Sequence, residues 1–130
     1  MRWEVSLAEA LTERLTEWSG RTGITVETWA LPKPRVPAPI TAAVLAVVEE
    51  ALANVERHSH ALTVSIAVTY GEQGLRLTVS DDGIGFDAAE PGPGVIGMRR
   101  RFTDLGGALA VNSVSGEGTT ISGVIPPSAR

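Results

Sequence analysis

Glu50, Asn54 and His58 stand at i, i+4 and i+8, with Arg57 beside them. On a helix this spacing puts all three on one face, drifting only slowly around the axis. An amide oxygen in such a row can join a magnesium shell that phosphates and water complete. A carboxylate one turn earlier can orient a nucleophile or a water. The same row would also serve as the solvated face of an ordinary helix. Asparagine is a poor former of helix interiors, which favours a purpose for Asn54.

Three glycine-rich segments follow. Asp81-Asp-Gly-Ile-Gly-Phe86 comes directly after an alternating apolar and polar stretch. Glycines at 83 and 85 let a backbone approach a ligand without a Cβ in the way. A carboxylate at a strand's end can accept a hydrogen bond from an amino group such as the exocyclic amine of adenine, which would be costly to bury unpaired. Asp-Gly is equally a favoured turn dipeptide. Gly92-Pro-Gly-Val-Ile-Gly97-Met98 leads into a segment with Arg99, Arg100 and Arg101. Glycines ahead of a helix N-terminus offer N–H groups and a favourable dipole to phosphate oxygens. No Gly-Lys-Ser/Thr follows, so this is no Walker A loop, and the competing reading is a mobile surface loop with solvated or partner-facing arginines. Gly116-Glu-Gly-Thr-Thr120 opens the last alternating stretch and taken alone reads as a hairpin turn. The four features in this order are far more specific than any one of them.

The elements that must position these residues are legible in the apolar pattern. Ser6-Leu-Ala-Glu9 is a capping-box sequence, and Leu7, Leu11, Leu15 and Trp18 draw one apolar stripe. This predicts a helix to about Ser19, ended by Gly20 and Gly23. Ile24–Leu31 reads as a strand. Pro32, Pro34, Pro37 and Pro39 mark an irregular connector, with Pro39 suited to a first helical turn, and Ile40 to about His58 reads as a long helix. Leu62–Tyr70 and Leu75–Ser80 read as strands joined by a hairpin turn at Gly71-Glu-Gln-Gly74. Asp81 to Gly97 reads as loop, Gly97 to about Leu105 as a helix stopped by Gly106-Gly107, and Ala108–Ser113 and Thr119–Ile125 as strands. The order predicts an α+β fold: a two-layer sandwich whose mixed, mostly antiparallel sheet carries three helices on one face.

A chain of 130 residues, 43% hydrophobic and 20% charged, suits one compact domain. Its net charge of −4 argues against a nucleic-acid footprint, but not against a nucleotide, which needs a few aimed N–H groups and a divalent metal. The absence of cysteine excludes disulfides, thiolate zinc sites and a cysteine nucleophile. The longest apolar run, Ile40–Val48, falls short of the roughly 20 residues of a membrane helix. No membrane contact and a cytoplasmic location are therefore expected of this piece, although a parent protein could be membrane-anchored.

On these residues the sequence resembles the ATP-binding catalytic domain of bacterial sensor histidine kinases, within the larger group that includes gyrase, Hsp90 and MutL. Glu50-Ala-Leu-Ala-Asn54-Val-Glu-Arg57-His58 looks like the family's N box, Asp81-Asp-Gly83-Ile-Gly85 like its G1 box and Gly92-Pro-Gly94-Val-Ile-Gly97-Met98 like its G2 box. Gly116-Glu-Gly118-Thr119 is similar to the last glycine box. Ser19-Gly-Arg-Thr-Gly-Ile24-Thr-Val26 resembles the opening of this domain in the nitrate-sensor-like branch, so the likeness covers essentially residues 1–130.

The resemblance implies a Bergerat-type fold with ATP and Mg²⁺ as cofactors. It implies Asn54 as a magnesium ligand, Arg57 as a phosphate contact and His58 beside the nucleoside. Asp81 would accept from the adenine amine, Gly83 and Gly85 would line the pocket, Gly94 and Gly97 would flank the triphosphate, and Thr119 would close the adenine end. Glu50 is the catalytic candidate: it activates water in hydrolysing relatives and organises the metal and its waters in kinases. Pro93 departs from the family pattern, and the lid, about Asp87 to Gly94, is short. The implied partner is a dimerisation and histidine-phosphotransfer domain, and indirectly a response regulator. No such domain precedes Ser6, and neither His58 nor His60 is placed as a phosphoacceptor. A serine kinase of the anti-sigma-factor type and a degenerate regulatory ATP-binding module are the alternatives.

Overall fold

The structure, a computed structural model, describes residues 6–59, 61–83, 93–114 and 116–127, the side chains of residues 58 and 59 excepted. Helix α1 (Leu7–Thr22) opens on the expected capping box: Glu9 N–H donates to Ser6 Oγ and Ser6 N–H to Glu9 Oε1, both at 3.1 Å. Its stripe of Leu7, Leu11, Leu15 and Trp18 is buried. Gly20 does not end the helix, which runs on to Thr22 and is capped by Gly23 at φ 78°. One interior glycine costs a helix about 1 kcal/mol. Burial of Trp18 and the bond from Thr22 Oγ1 to the Trp18 carbonyl, 2.8 Å, outweigh that.

Strand β1 (Thr25–Ala30) leads through the proline connector to α2 (Ala38–Asn54), which has proline in its first turn. The helix continues directly into a π-helical turn, Val55–Ser59, that the residue pattern does not announce. Ala38–Arg57 therefore makes 20 helical residues, long and apolar enough by composition to cross a membrane, where the sequence suggested a much shorter apolar run. Val44, Val47, Val48, Ala51 and Leu52 are buried in the core, so this apolarity matches the needs of a central packing helix.

The remaining elements are β2 (Thr63–Gly71), β3 (Gly74–Asp81), α3 (Pro93–Thr103), β4 (Ala108–Ser113) and β5 (Thr119–Ile125). Helix α3 starts four residues before the expected Gly97, because Pro93 supplies a fixed φ suited to a first turn. The strands form one sheet in the order β1-β2-β3-β5-β4. The pair β1–β2 is parallel, with α2 as its crossover, and the other pairs are antiparallel. One face of the sheet presents Val64, Ile66, Val68, Leu75, Leu77, Val79, Ile121 and Ile125 to a single core shared with all three helices. The predicted two-layer α+β architecture is the one observed.

Gly123 shows how tightly the layers meet. A Cβ there would sit 2.5 Å from Cε2 of Phe102, which is fully buried. Gly20 by contrast has no heavy atom within 4 Å of where its Cβ would be. Gly123→Ala is expected to lose about 1–3 kcal/mol through overpacking. Gly20→Ala should gain about 0.5–1 kcal/mol from helix propensity. Urea denaturation of both variants checks the pair, and a stabilised Gly123→Ala would contradict the packing described.

Candidate functional site

The outward row of α2 forms one hydrogen-bonded group. Arg57 Nη2 donates to Asn54 Oδ1 at 2.8 Å and to Glu50 Oε2 at 3.3 Å. The guanidinium therefore spans a carboxylate and an amide oxygen that lie one turn apart. All three side chains remain partly accessible, and the group can exchange its internal bonds for bonds to a ligand. Gly94 closes on it from α3: a Cβ at this position would collide with the Glu50 carboxylate. Gly94 therefore acts inside the first turn of α3 and not in a loop ahead of it, which corrects the sequence expectation. Gly97 also lies within α3, three residues on from Gly94, and is exposed, with space where a Cβ would stand.

The second group is built by strand alternation. Leu75, Leu77 and Val79 of β3 are buried, so the next residue on that face, Asp81, also points to the helix side. The core ends there, and Asp81 is left half-buried at the strand terminus. Its Oδ1 accepts from the Gly83 N–H at 2.8 Å. Burial is the main influence on the carboxyl and raises its pKa, and the neighbouring Asp82 charge adds to the rise. The N–H groups of Gly83 and Thr119 pull the other way. Thr119, paired with Asp81 across β3 and β5, is buried, and its Oγ1 shares a hydrogen bond with Ser113 Oγ at 2.7 Å. Gly118 has φ 85°, and a Cβ on it would strike the Asp81 carbonyl. The Gly-x-Gly-Thr sequence thus serves the close approach of the two strand ends.

Asp82 and Ser113 were passed over in the sequence, and Gly118 was named only as part of its glycine box. Asp82 Oδ1 accepts from Leu62 N–H at 2.9 Å and Thr63 N–H at 3.1 Å, tying down the start of β2. Gly118 and Ser113 complete the surroundings of Asp81 and Thr119. The signal for telling the two aspartates apart was the period-2 pattern: counting from Leu75, residue 81 faces the core and residue 82 does not.

Both groups lie toward one end of the sheet. Val64 pairs with Asp81, and only residues 60–62 separate the start of β2 from the π-helical turn that carries Arg57. Gly83 is buried beside Asp81. Gly85 lies outside the described residues, as does the side chain of His58. Arg99 is partly exposed and Arg100 and Arg101 are exposed, the latter two in the last turn of α3, where positive charge suits the helix dipole.

Among the described residues, no cluster of three or more His, Cys, Asp or Glu could cage a metal ion. The available oxygens are the Asn54 amide and the Glu50 carboxylate. This fits magnesium, which commonly takes one or two protein oxygens and fills its octahedron with phosphates and water.

Residues 41–129 match the family described as histidine kinase-, DNA gyrase B-, and HSP90-like ATPase. The chain is 34% identical over 123 residues to the sensor histidine kinase LiaS of Bacillus subtilis, covering 92% of this chain and 34% of that protein. It is 32% identical over 134 residues to the sensor histidine kinase MctS of Rhizobium johnstonii, covering 98% of this chain and 29% of MctS. It thus spans about a third of the length of these relatives. The blue-light activated histidine kinase EL346 of Erythrobacter litoralis superposes with a TM-score of 0.77 at 25% identity, over 94% of this chain and 45% of that one.

The raised Asp81 carboxyl has a consequence for stability. Between the ordinary aspartate range and its raised value, the folded chain holds more proton than the unfolded chain. Stability from this group therefore grows as pH falls through the raised value and levels off below the ordinary range. Asp81→Asn keeps an acceptor for the Gly83 N–H but cannot titrate. The melting temperature of this variant minus that of wild type should shrink from neutral pH to about pH 4. Parallel melting curves across that window would show that burial does not govern the carboxyl.

Proposed function

Because the chain belongs to the histidine kinase-, DNA gyrase B- and HSP90-like ATPase family, we propose that it binds ATP with magnesium and presents the γ-phosphoryl group to a histidine. The acceptor would lie on a separate helical domain of a two-component sensor kinase. The observation that carries this reading is the pairing of two unlike polar groups at one end of the sheet. One is a half-buried carboxylate among backbone N–H groups, and the other an amide, a carboxylate and a guanidinium in one row. The first suits a purine amine and the second a metal-bound polyphosphate.

In this reading Asp81 accepts from the adenine amine, with Gly83 and Thr119 around it. Asn54 Oδ1 and the Glu50 carboxylate serve the magnesium ion and its waters. When bound, the metal would neutralise charge on the phosphate oxygens. Arg57 holds Asn54 and Glu50 in the free protein. It would give up the amide oxygen and turn its planar, fixed charge to phosphate. Gly94, which lets α3 close on the Glu50 carboxylate, would flank the same end of the nucleotide. His58, Gly85 and Gly97 are assigned to the nucleotide by the family likeness alone. In the transfer, the bond from the γ-phosphorus to the β–γ bridging oxygen breaks as the acceptor imidazole nitrogen attacks. ADP keeps that oxygen, and the ring releases the proton on its other nitrogen. Such chemistry asks the protein for positioning and charge neutralisation more than for covalent participation.

ATP or ADP with Mg²⁺ should raise the melting temperature of the folded chain, by a stabilisation of about 2.7 kcal/mol at 100 times Kd. Asp81→Asn, which can turn its NH₂ toward the adenine amine, should weaken binding by about 1–3 kcal/mol. No thermal shift with millimolar nucleotide would remove the nucleotide reading, and unchanged affinity in the variant would return Asp81 to a turn residue.

Asn54→Ala should abolish most of the difference between calorimetric ATP affinities measured with Mg²⁺ and with chelator. Its affinity for metal-free ADP should stay close to that of wild type. An equal loss in both conditions would exclude the amide as a metal ligand.

A further inference from the structure

Helix α1 holds α2 through a ladder that lies beside the nucleotide row but is no part of it. Arg14 pairs with Glu49, and Arg21 with Glu56. Both pairs join residues 35 apart (49 − 14 and 56 − 21), so the two helices run side by side in parallel with a constant register. The lower rung is the more elaborate. Arg21 Nη1 and Nη2 donate to the two carboxylate oxygens of Glu56, each at 3.2 Å. The buried Trp18 indole N–H donates to Glu56 Oε1 at 2.7 Å. A forked guanidinium and an indole fix the carboxylate in position and in plane. Glu56 lies inside the π-helical turn, the one irregular stretch of the helix and a kind of turn frequent at functional sites.

The residues held by α1 and those of the site are neighbours in sequence. Glu49 precedes Glu50, and Glu56 precedes Arg57. Along a helix, adjacent residues point about 100° apart. Whatever fixes the rotation of the α1-facing row therefore fixes that of the site row. Resting on the nucleotide reading above, we infer that Glu56 is a positioning residue: clamped by Trp18 and Arg21, it sets the π-helical turn so that Arg57 meets Asn54, Glu50 and the phosphates. The ion pair is partly exposed, with side-chain accessibilities of 53% for Arg21 and 34% for Glu56, and such pairs add little to global stability. Its effect should accordingly appear in nucleotide affinity more than in melting temperature. Because coupling is reciprocal, nucleotide binding should also be sensed at Trp18.

The test is a double-mutant cycle read by calorimetry with MgATP. Glu56→Ala should weaken binding about fivefold or more and lower the melting temperature modestly, because the buried Trp18 indole N–H loses its acceptor. Glu56→Gln, which keeps an acceptor for the indole, should recover part of the loss. In an Arg57→Ala background, Glu56→Ala should have no further effect, because the residue through which it acts is gone. In a chain with Trp3 and Trp29 replaced by Phe, MgATP should shift the Trp18 emission, and Glu56→Ala should abolish the shift. If Glu56→Ala fails to fold, Trp18→Phe and Arg21→Ala each remove one arm of the clamp and enter the same cycle. Wild-type-like affinity in the Glu56 or single-arm variants would overturn the inference and leave the nucleotide reading standing. So would a loss that persists undiminished without Arg57. Failure of the wild-type chain to bind nucleotide would overturn both.

Discussion

Everything in this fold is arranged around the packing of α2 onto the sheet. Val44, Val47 and Val48 are wholly buried, and Ala51 and Leu52 nearly so. Each fully buried aliphatic side chain of this size contributes about 1.5–3 kcal/mol relative to its exposed state. The helix is also the crossover between parallel β1 and β2, so its direction is set by the sheet it covers. With α1 on one flank and α3 on another, little of its circumference is left for polar residues. Glu50, Asn54 and Arg57 occupy what remains. The row is ordered chiefly by its own bonds, from Arg57 to Glu50 and to Asn54.

At the sheet's end a different compromise holds. The alternation that buries Leu75, Leu77 and Val79 also brings Asp81 to the core face, where desolvation opposes its charge. The carboxylate tolerates this because backbone N–H groups of Gly83 and Thr119 are aimed at it. At the strand's end the carboxylate is left half-buried between these donors and solvent. Asp82, one residue on, faces the other way, and its bonds to the amides of Leu62 and Thr63 are wholly structural. Two adjacent aspartates thus divide into one that secures the start of β2 and one that stands half-buried at the end of β3.

Glycine is used for contact more than for flexibility. Gly94 lets α3 reach Glu50, Gly118 lets β5 reach the Asp81 backbone, and Gly123 makes room for the Phe102 ring. Only Gly118 of these three also needs a positive φ. The common cause is the thinness of a two-layer fold, in which helix and sheet backbones must approach closely wherever a large side chain or a site residue lies between them.

The periodicity of the sequence determined the number, order and type of the elements, because amphipathic spacing is a local property dictated by one buried face. It also determined the row on α2 and the core-facing direction of Asp81, since i, i+4 spacing and strand alternation fix direction without reference to other elements. Tertiary structure decided where elements end. Packing of Trp18 carried α1 through Gly20, and α3 began at Pro93, which placed Gly94 against Glu50 and put Gly97 inside the helix rather than ahead of it. The π-helical turn and the tie from Glu56 to Trp18 and Arg21 were invisible to any periodic pattern. They depend on side chains 35 and 38 residues apart, and only a folded chain brings such residues within hydrogen-bonding distance.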